Sequence, residues 1–149
     1  MKVRKPTYLS FKIGKENYAV PTHKVLEVTE QEYINPVPNA YGFIEGVIAF
    51  RGTIVPVVNI KTKLKLDSAA RHTGFIIIFD ATLDKKSTIV AAVADEVNAV
   101  IAAADDEITP ARQDGIAFDV NLLSGVVRHQ GQHIMVFDID KVLATDEKS

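Results

Sequence analysis

The amino-acid sequence predicts an all-β protein made of two small β-barrels packed side by side. The first observation behind this prediction is a repeat, because residues 44–64 and 123–143 share one strand–turn–strand pattern at a constant offset. The second is that short runs of alternating apolar and polar residues account for much of the remaining chain. Small strand-rich units of this kind protect their edges by curling into barrels.

The repeat keeps its glycines at matching positions. Gly46 and Gly125 each open a short apolar run, and Gly52 and Gly131 follow six residues later at a predicted tight turn. No acid, base, nucleophile or metal ligand is shared by the two copies. The duplicated feature is therefore a structural frame, and two similar halves create a groove between them.

The repeat also extends upstream, since residues 18–28 resemble residues 90–100 without a gap. Residues 23–29 fit both a helix and a strand. Residues 74–81 are nearly all apolar, which indicates a strand buried on both faces. Residues 102–114 follow no pattern, and we expect a flexible loop there. The remaining predicted strands are residues 7–13, 17–20, 45–50, 53–59, 87–94, 122–129 and 132–137, with helical turns at residues 60–64 and 139–144.

We expect one domain over residues 1–149, because neither half has a large core alone. The first barrel is predicted to span roughly residues 14–70 and the second roughly residues 71–137, with terminal segments able to exchange between them.

Composition excludes several classes of protein. The net charge is −2 and the chain has no cysteine, which argues against a nucleic-acid-binding face, a disulfide framework and a thiolate metal site. No apolar run approaches the roughly 20 residues of a membrane span, and no signal-peptide pattern follows the first residues. We therefore expect a soluble cytoplasmic protein with no cofactor and no direct membrane insertion.

Six segments together resemble the CheW family of bacterial chemotaxis coupling proteins. The most specific is FIEGVIAFRGTIVPVVNIK at residues 43–61. The others are TYLSFKIGKENYAV at residues 7–20, KVLEV at 24–28, FIIIFD at 75–80, AVADEV at 92–97 and LLSGVVRHQGQHIMVFDIDKVL at 122–143. The resemblance covers almost the whole chain in order.

This resemblance implies two intertwined SH3-like five-stranded barrels, short helical turns, a short C-terminal helix and no catalytic activity. It implies an adaptor, monomeric alone, that joins the cytoplasmic tip of a chemoreceptor to a CheA-type histidine kinase in membrane-associated receptor arrays. In the family, the receptor helical hairpin docks in the groove between barrels, and the regulatory domain of the kinase pairs barrel to barrel.

Arg51 is the first candidate contact residue. A charged residue at a turn is commonly just solvated, and the second copy carries Gln130 at this position, so the fold does not require arginine. A guanidinium suits the carboxylates of a partner helix. The resemblance implies a receptor-coupling role for Arg51.

The resemblance also assigns Val25, Glu27, Ala91 and Val97 to the receptor-binding groove. For each there is a plainer interpretation: Val25, Ala91 and Val97 fit core positions, and Glu27 fits a solvated face. An apolar anchor beside a charge is also typical of helix-in-groove recognition.

Two other functions remain as alternatives. A small barrel that binds nucleic acid would use a basic groove with exposed aromatic residues, but aromatic residues make up only 7% of this chain. A metal-dependent enzyme rests on His129 and His133, which flank the second predicted hairpin turn. We expect neither, and predict no metal site.

Overall fold

The computed structural model describes residues 5–30, 34–37, 42–66 and 74–144. Within these ranges the chain forms β-strands joined by tight turns, with two short α-helices. The strands are β1 Thr7–Ile13, β2 Glu16–Pro21, β3 Val25–Glu30, β4 Ile44–Phe50, β5 Thr53–Val58, β6 Phe75–Leu83, β7 Lys86–Ala94, β8 Glu96–Ala102, β9 Ile108–Thr109, β10 Leu123–His129 and β11 Gln132–Phe137, and the helices are α1 Ile60–Lys63 and α2 Ile139–Leu143.

The strands form two sheets, each curled as an SH3-like barrel. One has the order β3-β6-β7-β5-β4 and comprises the strands of residues 25–94; we call it the central barrel. The other has the order β8-β1-β2-β11-β10-β9 and comprises strands from both ends of the chain; we call it the terminal barrel. The predicted all-β, two-barrel fold is confirmed.

The two barrels are built alike because the two repeats, extended here to the two halves of the chain at residues 7–66 and 74–144, exchange hairpins. In the central barrel the hairpin β6–β7, from the second repeat, lies between β3 and β5 of the first. In the terminal barrel the hairpin β1–β2, from the first repeat, lies between β8 and β11 of the second. In each case a parallel pairing joins the borrowed hairpin to its host, β7 with β5 and β2 with β11.

This exchange corrects the predicted limits of the barrels. The chain crosses from the terminal to the central barrel at residues 22–24 and returns at Asp95, so the sheets do not divide at residues 70 and 71. That predicted boundary itself lies outside the described residues. The repeat locates the duplicated units correctly, but β6 and β7 pair with β3 and β5 of the first unit.

The core confirms that β6 is buried on both faces. Ile77 and Phe79 belong to the largest apolar cluster, which draws side chains from both barrels, whereas Ile76 and Ile78 belong to a smaller cluster inside the central barrel. A third cluster, around Ala19, Ile134 and Val136, fills the terminal barrel. The shared cluster makes the two barrels one packing unit.

Two segments that the sequence left open are now defined. Residues 22–24 form a 3-10 turn, and β3 follows directly, so the ambiguous segment 23–29 is mostly strand. Residues 102–114, expected to be a flexible loop, contain a 3-10 turn at Asp105–Glu107 and the short strand β9. The pairing of β9 with β10 explains this order, since two residues are too few for a strand pattern to be visible in the sequence.

Candidate partner-binding site

Arg51 lies at the tip of the β4–β5 hairpin, where its backbone is left-handed. Its φ is 51° and that of Gly52 is 77°, which gives the two-residue turn that suits the twist of a hairpin. The guanidinium carbon lies 4.6 Å from the centre of the Phe50 ring, within cation–π range. In the part of the chain that the structure describes, no carboxylate forms an ion pair with Arg51, so its donors are available to a partner.

Gln130 has the same place on the other barrel. It is exposed, its φ is also 51°, and Gly131 follows with a φ of 78°. The two hairpins therefore have the same backbone and differ in the side chain at the tip. The turn therefore does not require arginine, and the positive charge of Arg51 is a separate feature of the first hairpin.

Glu27 and Phe50 line one groove on the central barrel. The groove has a volume of 210 Å³, and Ile48 and Ile78 form part of its apolar wall. Glu27 is exposed on β3, opposite Ile78 of β6. Since Arg51 stacks on Phe50, the structure brings Glu27 and the Arg51 hairpin to the same end of the central barrel.

The matching groove on the terminal barrel is lined differently. Its volume is 360 Å³, and the position that matches Glu27 is Ala99. Polar side chains surround it, among them Lys12, Asn17, Asn98 and Gln132. The duplicated frame thus presents two grooves that differ in their side chains, with Glu27 and Phe50 on one barrel where Ala99 and His129 stand on the other.

Val25 and Val97 occupy matching positions at the starts of two edge strands. Val25 on β3 faces Phe79, and Val97 on β8 faces Phe11. Both are partly buried and pack against the cluster shared by the barrels. Each side chain therefore anchors its edge strand and keeps only part of its surface for a partner.

Ala91 is not placed for contact with a partner. Its exposed fraction is 0%, and it lies on β7 between Ile78 of β6 and Val57 of β5. A methyl group without accessible surface contributes to packing alone. We therefore remove Ala91 from the candidate contact residues, and the plainer core interpretation of this position is the one that the structure supports.

Sequence reasoning missed four exposed apolar side chains, Val28, Ile54, Val100 and, in the loop before β4, Val37. Val28 on β3 is 36% exposed and Val100 on β8 is 61% exposed, at matching positions of the repeat. Ile54, beside the Arg51 turn, is 68% exposed. An exposed apolar side chain is a candidate for contact with a partner when it is part of a larger surface patch. The alignment of residues 18–28 with 90–100 contained the signal, because valine recurs at its last position.

The histidine pair does not assemble a metal site. His129 pairs with Gln132, and His133 pairs with Arg128, so the two imidazoles belong to different rungs of the hairpin. Across the described ranges, no group of three or more histidine, aspartate or glutamate side chains is arranged to hold a metal ion. No helix in these ranges is long and apolar enough to cross a membrane.

Comparison with known protein families shows which family this chain belongs to. The CheW-like domain matches residues 7–147, nearly the whole sequence. The chain belongs to the CheW-like family. A chemotaxis protein CheW from Klebsiella aerogenes is 26% identical over 140 residues, which cover 94% of this chain and 82% of that protein. A CheW from Thermotoga maritima is 29% identical over 136 residues, covering 91% of this chain and 85% of that protein.

A solved structure has the same fold as this CheW-like chain. The scaffolding protein TtCheW from Thermoanaerobacter tengcongensis superposes with a TM-score of 0.83, covering 98% of this chain and 92% of that one at 22% identity. At this identity the likeness concerns the fold. The protein FrzA from Myxococcus xanthus is also similar, with 29% identity over 140 residues that cover 93% of this chain and 85% of that protein.

Proposed function

We propose that this protein is a non-enzymatic adaptor that couples the cytoplasmic tip of a chemoreceptor to a CheA-type histidine kinase. The observation that carries the proposal is the family match over residues 7–147. Relatives across this length are called chemotaxis protein CheW, and the structural relative is titled a scaffolding protein. In this role the protein would act in the cytoplasm, as a component of membrane receptor arrays.

The surface of the central barrel supports contact with a helical hairpin. An amphipathic helix presents an apolar stripe flanked by charges, and it binds where apolar side chains are exposed beside a complementary charge. Val28 and Ile54 provide exposed apolar surface, and Arg51 provides a cation without an intramolecular ion pair among the described residues. We assign Arg51 to a carboxylate of the receptor, and Val28 and Val100 to its apolar stripe.

Three other predicted groove residues support the proposed contact indirectly: Val25, Glu27 and Val97. Val25 and Val97 hold the edge strands β3 and β8 against the shared cluster. This packing keeps the exposed Val28 and Val100 of the same strands in position. Glu27 adds a negative charge to the same end of the barrel as Arg51. A receptor surface with both a carboxylate and a basic side chain would complement this arrangement.

The residue-level test uses the two matching hairpin tips. Arg51→Glu should weaken binding to a soluble receptor signalling tip by about tenfold, because a charge-assisted contact becomes a repulsion. Gln130→Glu is the control, since it adds a negative charge at the same backbone position of the other barrel. Equal binding by Arg51→Glu and the unchanged protein, in a pull-down or titration, would remove Arg51 from the site.

The adaptor role has its own test. The purified protein, a chemoreceptor tip and a CheA-type kinase are mixed and sedimented as receptor assemblies. We expect the protein to co-sediment with both partners, and the kinase to require it for recruitment. Kinase recruitment that is unaffected by omitting the protein would contradict the proposed coupling.

A further inference from the structure

A cleft with a volume of 550 Å³ lies on the terminal barrel, and none of its lining residues is a proposed receptor contact. Its floor includes Tyr18 of β2 and Met135 of β11, which are paired neighbours in the sheet. Its opposite wall is the loop of residues 110–118, including Ile116 and Phe118. Clefts of a few hundred Å³ with apolar walls and a few polar groups are typical sites for small ligands.

The loop that forms this wall is held by one side chain. The Gln113 amide nitrogen donates to the carbonyl oxygens of Ile116 and Phe118 at 3.1 and 2.7 Å, and its amide oxygen accepts from the Val120 nitrogen at 3.2 Å. These bonds fix the loop independently of any ligand. The cleft is therefore preformed, which lowers the entropic cost of binding.

Tyr18 brings an unpartnered polar group to the cleft. Its exposed fraction is 1%, and its ring is stacked on Phe137 with the ring centres 4.5 Å apart. In the described part of the chain its hydroxyl has no hydrogen-bond partner among protein groups. Buried hydroxyls are nearly always hydrogen-bonded, so this oxygen indicates a ligand or an ordered water in the cleft.

The charges around this hydroxyl favour a cation. Glu16 is two residues before Tyr18 on β2, on the same face, and it also lines the cleft. Burial, and then the negative charge of Glu16, raise the pKa of Tyr18 to about 12, so the phenol stays protonated near neutral pH. The other charged or titratable side chains lining the cleft are Arg112, Asp114 and His133. The two carboxylates outnumber the single guanidinium.

We propose that this cleft binds a small amphipathic amine. Its ammonium group lies between the Glu16 carboxylate and the Tyr18 hydroxyl and donates hydrogen bonds to both oxygens. Its apolar body packs on Met135, Ile116 and Phe118. This arrangement gives the buried hydroxyl a partner and places a positive charge where the protein presents a negative one.

The test uses phenethylamine as the probe and its anionic counterpart, hydrocinnamate, as the matched ligand control. In amide-resolved NMR titrations of the full chain, phenethylamine should shift the signals of the cleft residues, with a dissociation constant in the millimolar range or below. Glu16→Gln and Tyr18→Phe should each weaken binding by about threefold or more, the usual effect of one lost hydrogen bond. Glu96→Gln removes a carboxylate outside the cleft and should leave binding unchanged.

A second readout separates binding at Tyr18 from binding elsewhere. Only the ammonium form can donate to both Glu16 and Tyr18, so the affinity should fall above the pKa of a primary alkylamine, about 10, and this fall should be weaker in Glu16→Gln and in Tyr18→Phe. Absence of cleft shifts with phenethylamine would mean that water alone satisfies the hydroxyl, and would overturn the proposal. Equal binding of hydrocinnamate, or an unaffected Glu16→Gln variant, would overturn it as well.

Discussion

Lys61 and Asp95 form an ion pair that joins the two barrels, with Nζ 3.0 Å from Oδ1. The second oxygen of this carboxylate accepts a hydrogen bond from the Gly14 amide at 2.6 Å. Lys61 lies on α1, which follows the central barrel, and Gly14 lies at the tip of the β1–β2 hairpin of the terminal barrel. One carboxylate therefore ties the helix of one barrel to the hairpin of the other.

The second repeat builds the same link with opposite polarity. Asp140 on α2, the position that matches Lys61, accepts from Nζ of Lys24 at 3.2 and 3.1 Å and from the Thr82 amide at 2.8 Å. Here the acid is on the helix and the lysine is at the crossing between barrels. Both repeats therefore have an ion pair between the short helix and the segment that crosses between barrels, and the acidic residue can be on either side of it.

Asp95→Asn should destabilise the fold by about 2 kcal/mol. An asparagine oxygen can still accept from Gly14, but Lys61, whose side chain is only 12% exposed, loses its counter-charge. The measurement is the free energy of unfolding in urea. Lys141→Ala is the control, because its pair with Asp138 spans 4.0 Å and its side chain is 59% exposed, so the expected loss is below about 1 kcal/mol. Equal losses for the two variants would contradict the link.

The sequence predicts the strands and turns of this protein because local residue patterns determine them. The turn at Gly52 and Gly131 and the buried strand at residues 74–81 follow from glycine placement and unbroken apolar runs. The resemblance then identifies the adaptor family and directs attention to Arg51. These inferences use residues near one another in the chain, where propensity and periodicity act.

The remaining features depend on which distant strands meet. The exchange of hairpins follows from packing between faces, and no local pattern in β6 says whether it joins β3 or β8. For the same reason the sequence leaves Ala91 open between the core and the groove, and it predicts neither the link between Lys61 and Asp95 nor the cleft at Tyr18. Each of these features is made by residues from different repeats or by a side chain whose environment is tertiary.

Gly46→Ala should destabilise the protein by about 3 kcal/mol, because an added methyl has no room. A Cβ at this position would lie 2.1 Å from the carbonyl oxygen of Asn35, a backbone atom of a neighbouring segment. Gly52→Ala provides the contrast: no atom lies within 4 Å of its Cβ position, and only the left-handed backbone, with φ 77°, resists the change. That variant should lose about 1 kcal/mol. Thermal unfolding of both variants tests the order, and a larger loss for Gly52→Ala would refute the close approach at Gly46.

Tyr18 should make the folded state sensitive to alkaline pH. Its folded pKa is raised from 10.0 to about 12, so its contribution to stability is complete below pH 10 and is lost as pH rises towards 12. The Tyr18→Phe variant has no phenol at this site. Its free energy of unfolding should therefore fall over this interval by about 2 kcal/mol less than that of the unchanged protein. Urea unfolding at several pH values between these limits measures the difference. Parallel pH profiles for the two proteins would show that Tyr18 ionises as freely in the folded state as in the unfolded chain.

Cleavage between Leu66 and Gly74 should leave the two halves bound to each other. Each half contributes a hairpin to the barrel of the other, and the cluster shared by the barrels contains residues from both halves, such as Phe11 and Phe79. Separation would expose both faces of the hairpins and break the parallel pairings of β5 with β7 and of β2 with β11. A protease site introduced in this interval, followed by cleavage and gel filtration, should give one peak at the mass of the intact chain, and denaturant should be needed to split it. Two independently folded barrels divided at this point would instead elute separately without denaturant, which is the outcome that the exchanged hairpins forbid.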